Sequence, residues 1–134
     1  MKRFEAVYVV ETNKNFKETL VAVRKAAETE SWGVLGDYNF GEILNSKGFP
    51  QGENVKVLDI CSPTYANALM SHERLTALCM PCSVLVYTNE GRTMIAALQP
   101  SKILPVVFET DSRALAAQAQ IDEQIRTILD MAKD

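Results

Sequence analysis

Three cysteines and the only histidine fall within residues 61–82, and these are the side chains best able to do chemistry in this chain. Cys61 stands in Cys61-Ser62-Pro63, Cys79 and Cys82 flank Met80-Pro81, and His72 lies between them. Thiols so grouped suggest three kinds of work. Cys61 precedes a helix start, where unpaired N–H groups and the macrodipole favour a thiolate nucleophile. Cys79 and Cys82 have the two-residue gap of redox dithiols. Redox pairs open a helix after a strand, however, and this one precedes a strand, so it lacks the effect that activates them. Cys61, His72, Cys79 and Cys82 also make a conceivable zinc set, and Met80 would soften it toward Cu(I). Their irregular spacing, without two tight ligand pairs, weighs against a metal site. No metal or cofactor is therefore assigned. The inert alternative stands beside all three: free cysteine is among the most often buried residues and packs as a small hydrophobe.

No other constellation competes. Gly33, Gly36 and Gly41 lack the spacing of a phosphate loop. With one histidine and no nucleophile elbow, a serine triad has no support. Glu5, Glu11, Asp37, Glu42 and Asp59 could supply paired carboxylates, but no spacing selects a pair.

The elements that must hold the cysteines can be read from periodicity. Residues 3–11 alternate as a strand, with Phe4, Ala6, Tyr8 and Val10 on one face and Val7 and Val9 on the other. Asn15 and Glu18 have the spacing of a capping box. Phe16, Leu20, Val23 and Ala27 then recur at helical intervals over about 16–30. Gly33 suits the left-handed position past that helix. Trp32, Val34 and Leu35 open a short strand. Asn39 and Glu42 repeat the cap before a short helix ending at Gly48.

Val55–Ile60 reads as a strand, with Ser62 as N-cap and Pro63 as first residue of a helix over about 63–70. Cys82–Thr88 and Arg92–Leu98 form a hairpin around Asn89-Glu90-Gly91. Ile103–Phe108 reads as one more strand, confined by Pro105 to an edge or bulge. Residues 112–133 form a terminal helix with the stripe Leu115, Ala119, Asp122, Ile125, Ile128, Leu129 and Ala132, in which Asp122 is out of character.

This order predicts an α+β fold: a mostly antiparallel sheet of about five strands with helices packed on one face. If strands 55–61 and 82–88 pair antiparallel, Cys61 and Cys82 meet at one end of the sheet. Alternation puts Asp59 and Cys61 on the same face. Val7 and Val9 indicate that the sheet's second face is not simply wet, and an isologous homodimer would cover it.

The whole 134-residue chain is expected to form one domain, long enough to fold around a core without staples. Net charge is -3 with Lys and Arg scattered, which argues against a nucleic-acid binder. Glu5 and Glu11 interrupt the first apolar run, and no stretch reaches the roughly 18 to 20 apolar residues of a membrane span. An odd cysteine count argues against a secreted disulfide framework. The expectation is a cytoplasmic protein without membrane contact.

Cys61-Ser62-Pro63, Ala66 and then Met80-Pro81-Cys82-Ser83-Val84-Leu85-Val86-Tyr87 resemble the prokaryotic family called domain of unknown function 302. Gly33-Val34-Leu35 and the helix ending at Lys47-Gly48 fit the same pattern, so the resemblance covers about residues 4–105. The chain departs from it with Ser62 in place of the commoner Asn and Ser83 where Arg often follows the cysteine. It also has Cys79 and Met80 at usually apolar positions. The resemblance implies a compact α+β domain that dimerises, and it implies no activity. The favoured function is a non-enzymatic homodimeric module binding a small ligand or sulfur species in a pocket lined by Cys61, Ser62, Pro63, Cys82, Cys79 and Asp59. The alternatives are a thiol-redox or sulfur-transfer enzyme using Cys61 or Cys82, and an interaction domain with inert cysteines.

Overall fold

The computed structural model describes residues 5–107 and 112–134. Five strands form one antiparallel sheet in the order β1-β5-β4-β3-β2. They are β1 (Val7–Thr12), β2 (Gly33–Asn39), β3 (Val55–Cys61), β4 (Cys82–Asn89) and β5 (Arg92–Leu98). The helices are α1 (Phe16–Thr29), α2 (Phe40–Ser46), α3 (Pro63–His72), α4 (Pro100–Val107) and α5 (Ser112–Lys133), with a 3-10 turn at Arg74–Cys79 after α3. The α+β expectation holds. Phe4 lies outside the described residues.

Local chemistry sets the element ends. Asn15 caps α1 through a complete capping box: its side chain accepts from Glu18 N at 2.8 Å, and Glu18 accepts from Asn15 N at 3.2 Å. Two paired backbone bonds close α1, Trp32 N to Ala27 O and Ser31 N to Glu28 O. The left-handed residue there is Ser31 (φ 63°), not Gly33, which already belongs to β2. Trp32 is what selects this ending, because burying its indole to 3% exposure fixes where the chain must turn. Its Nε1 donates to Gln124 of α5 at 2.7 Å. The same pair of bonds closes α2, with Gly48 at φ 88°.

The principal correction is α4. Ile103–Phe108 was expected to extend as an edge strand, but residues 100–107 are helical and residue 108 lies outside the described part. Pro100 occupies the first helical position, where its missing N–H costs nothing. Asp122 of α5 supplies the cap that the local sequence lacks. Its carboxylate accepts from Ser101 N at 3.1 Å and from the Ser101 hydroxyl. A tertiary cap cannot be read from local periodicity, which is why the apolar run looked like a strand. It also explains Asp122 itself, an acid 4% exposed on an apolar stripe.

That stripe differs from expectation at one more place. Ala119 is exposed, and Gln118 and Ile121 are buried beside Ile125, Ile128, Leu129 and Ala132. Leu115's side chain lies outside the described part. α1 and α5 pack on each other and on one face of the sheet. The core between them holds Leu58, Ile60, Val84, Val86 and Ile95, each fully buried. Two bonds tie the end of α5 to β1: Tyr8 Oη donates to Asp130 Oδ1 at 2.7 Å, and Thr12 Oγ1 donates to Lys133 O at 2.8 Å. At the other edge, Asp37 of β2 pairs with Arg24 of α1 at 2.5 Å and with Lys56 at 3.0 Å. Burial pushes the Asp37 carboxyl up, but the bonds from Lys56 and Arg24 outweigh it and hold the group below its usual range.

The β4–β5 hairpin turns through Glu90 (φ 52°) and Gly91 (φ 81°), the two positive angles a tight two-residue turn demands. Gly91→Ala is expected to cost on the order of 1 kcal/mol, because a Cβ there meets left-handed backbone strain. Urea unfolding checks this, and an unchanged midpoint would mean that the turn does not impose that conformation.

A sulfur-lined candidate site at the end of the sheet

The site begins where β3 ends and β4 starts. Ser62 is the N-cap of α3: its backbone is extended (φ -96°, ψ 114°) and its Oγ accepts from Tyr65 N at 3.4 Å, with Pro63 following at the first turn. α3 and the 3-10 turn then carry the chain back to the sheet. Met80–Pro81, joined by a cis peptide, leads into β4 at Cys82.

β3 and β4 pair antiparallel, but Cys61 and Cys82 are not the directly facing pair expected of that arrangement: Cys82 is opposite Ile60, and Cys61 is opposite Gly33 of β2. This register is offset by one residue from a direct cysteine pair. Ile60 is fully buried beneath the helices, so Cys82 lies on that face. Alternation along β3 assigns Cys61 and Asp59 to the open face. There Asp59 Oδ1 accepts from Ser83 Oγ at 3.0 Å. All three cysteines are free thiols.

Two cavities adjoin at this rim. The larger, about 290 Å³, is lined by Leu69, Thr76, Cys79, Met80, Pro81, Cys82, Ser83, Leu98, Pro100, Ile103, Leu104 and Ile121. A gap of about 30 Å³ borders Cys61, Ser62, Tyr65, Trp32 and Cys82. Cys82 bounds both, as do Leu69, Met80, Pro81 and Ile121. The structure therefore brings Cys79 and Cys82 to one cavity and leaves Cys61 and Ser62 at its smaller neighbour. Pro63 and Asp59 line neither. His72 ends α3, exposed. Among the described residues, no three His, Cys, Asp or Glu side chains are grouped to hold a metal ion.

Residues that the sequence reading missed supply most of the walls. Ile103, Leu104 and Pro100 come from α4, and Ile121 from α5. Pro100 was the available signal, since proline favours the first helical turn. A groove of about 720 Å³ at the opposite end of the sheet is larger, but it is open and polar. Several of its charged groups are already engaged: Arg92 pairs with Glu11 at 2.8 Å, and Glu53 accepts from Thr88 and from Glu90 N. No sulfur lines it, so the smaller cavity is the better site for the sulfur chemistry of residues 61–82.

The electrostatics of the site oppose thiolate formation. Burial pushes the Cys61 thiol above its ordinary value. Cys82 keeps some surface toward the cavity, yet protein atoms crowd it. Burial first, then the negative field of Cys61, Asp122, Asp59 and Cys79, pushes its pKa up to about 11. Cys79 is exposed at the rim.

The chain matches the family described as Domain of unknown function DUF302 over residues 8–132, and it belongs to that family. The match runs through the terminal helix, past the 4–105 that the motifs marked out. The crystal structure of an uncharacterized conserved protein DUF302 from Bacillus stearothermophilus has the same fold. The TM-score is 0.90 at 23% identity, covering 96% of this chain and 98% of that one. No curated protein matches the sequence. Among the described residues, no helix is long and apolar enough to cross a membrane.

Two measurements test the site. With a thiol-exchange reagent at pH 8, Cys79 is expected to react first and Cys82 only as the protein unfolds or as pH approaches about 11. Equal rates for Cys79 and Cys82 at pH 8 would contradict the burial argument. Ser62→Ala is expected to lower stability by about 1 kcal/mol through the lost cap. An unchanged melting temperature would show that the long Ser62–Tyr65 contact contributes nothing.

Proposed function

We propose that this protein is a non-enzymatic, homodimeric binding module whose 290 Å³ cavity takes a small apolar ligand or sulfur species. The observation that carries the reading is the composition of the walls. Leucine, isoleucine and proline side chains enclose the cavity, and Cys79, Met80 and Cys82 bring three sulfur atoms to one side. Its volume lies near the lower end of the roughly 300–1,000 Å³ of ligand pockets, which suits a small molecule. Polarizable sulfur favours soft or apolar partners over charged ones. The thiol-redox reading is the weaker one. A cysteine nucleophile acts as its thiolate, and burial raises both Cys61 and Cys82. Three free thiols also fit a reducing, cytoplasmic setting.

1-Octanol is a suitable probe of the cavity. Titrated into methyl-labelled protein, it is expected to shift the methyl resonances of Ile103, Leu104 and Ile121 saturably. Leu104→Trp, which fills the cavity with an indole, is expected to weaken that binding at least about tenfold while leaving the fold intact. If the three methyl signals do not respond in the parent protein, the binding reading is wrong. A native mass spectrum of the purified protein then identifies what the cavity carries.

A further inference from the structure

The open face of the sheet is apolar across all five strands. The ladder places Val9, Ala96, Leu85, Val57 and Tyr38 in one row from edge to edge. A second row, Met94, Tyr87 and Val55, runs beside it. Polar groups stand at the margins: the Glu11–Arg92 ion pair at one end and the Ser83–Asp59 hydrogen bond at the other. An apolar centre with a polar rim is the anatomy of a protein interface. At about 4.8 Å between strands and about 3.3 Å per residue, the whole face, apolar centre and polar rim together, spans roughly 550 Å². Two such faces together bury about 1,100 Å², just above the about 1,000 Å² a specific interface needs. A face so self-similar is best matched by a second copy, sheet against sheet.

This face and the cavity share a wall. Three of the cavity's lining residues are exposed: Cys79, Ser83 and Leu98. Leu98 is opposite Val7 on β1 and Ser83 is opposite Asp59 on β3, so both lie in the open face's outer row. The mouth of the cavity therefore opens at the edge of the apolar face. Leu98, 53% exposed, is a wall of one and a member of the other.

Resting on the binding-module reading, we propose that the ligand site is incomplete in a single chain. A second copy docked on the open face covers Leu98 and Ser83 and closes the cavity mouth, so ligand occupancy and dimerisation strengthen each other. Closure removes apolar ligand surface from water that one chain leaves exposed. Linkage is reciprocal at each site: if dimerisation tightens each of the two sites by a factor α, saturating both sites tightens the dimer by α².

Sedimentation equilibrium with and without saturating 1-octanol tests this. The protein is expected to dimerise, and octanol to lower the dimer dissociation constant at least about fivefold. Leu85→Lys, at the centre of the face and away from the cavity, is expected to give monomers that bind octanol about fivefold more weakly. Val57→Lys is the second variant should the first misfold, and circular dichroism checks both. Leu98→Gln is expected to leave a dimer whose octanol response is largely lost.

A dimer constant unmoved by octanol, with the Ile121 and Leu104 methyl shifts still saturating, overturns the coupling and spares the cavity reading. A parent protein that stays monomeric to millimolar concentration also overturns it. Absent methyl shifts overturn the binding reading itself, and the coupling with it.

Discussion

The docking of α5 against the sheet is the constraint on which the rest of the structure depends. Ile125, Ile128 and Leu129 are fully buried between helix and sheet, and burying side chains of this size contributes roughly 1.5–3 kcal/mol each. Apolar packing alone would let the helix slide or roll. Polar ties spaced along it fix its position: Asp122 to Ser101, Gln124 to Trp32, Asp130 to Tyr8 and the Lys133 carbonyl to Thr12. Once α5 is placed, Asp122 caps α4, and α4 brings Ile103 and Leu104 over the end of the sheet. Ile121 backs both cavities. The site is thus a consequence of where one helix lies.

The same packing decides what the cysteines can do. A thiol needs solvent or a nearby cation to ionise at neutral pH. Cys82 has apolar walls around it and acidic groups as its charged neighbours, so each influence acts to keep the proton on sulfur. Cys61 sits one residue before the cap of α3, where a helix dipole would favour a thiolate, yet desolvation prevails and its pKa rises. The burial that lines the cavity with apolar side chains is also what raises the Cys82 thiol.

The two faces of the sheet divide the labour. One carries the core, with Leu58, Val84 and Ile95 under α1 and α5. The other carries an apolar central row in which Val9 and Tyr38 are exposed, Leu85 and Val57 half-buried and Ala96 buried. The cavity opens at the junction of the two faces, which is where a ligand and a partner would each change the other's surroundings.

Five strands, the hairpin, the caps at Asn15, Asn39 and Ser62, and the family were legible in the order of residues, because each depends on neighbours within a few positions. Alternation, capping spacing and turn chemistry are local and survive without the fold. The helical state of residues 100–107 was not legible, since its cap is a carboxylate 21 residues away. Nor was the left-handed Ser31, which follows from where Trp32 finds its core. The grouping of reactive side chains in residues 61–82 was visible in the sequence, and so was the end of the sheet at which they gather. Which cysteines share a cavity depended on register: a ladder shifted by one residue sends a side chain to the opposite face. Only three-dimensional packing chose Ile60 over Cys61 as the partner of Cys82, and with it which thiols face the cavity.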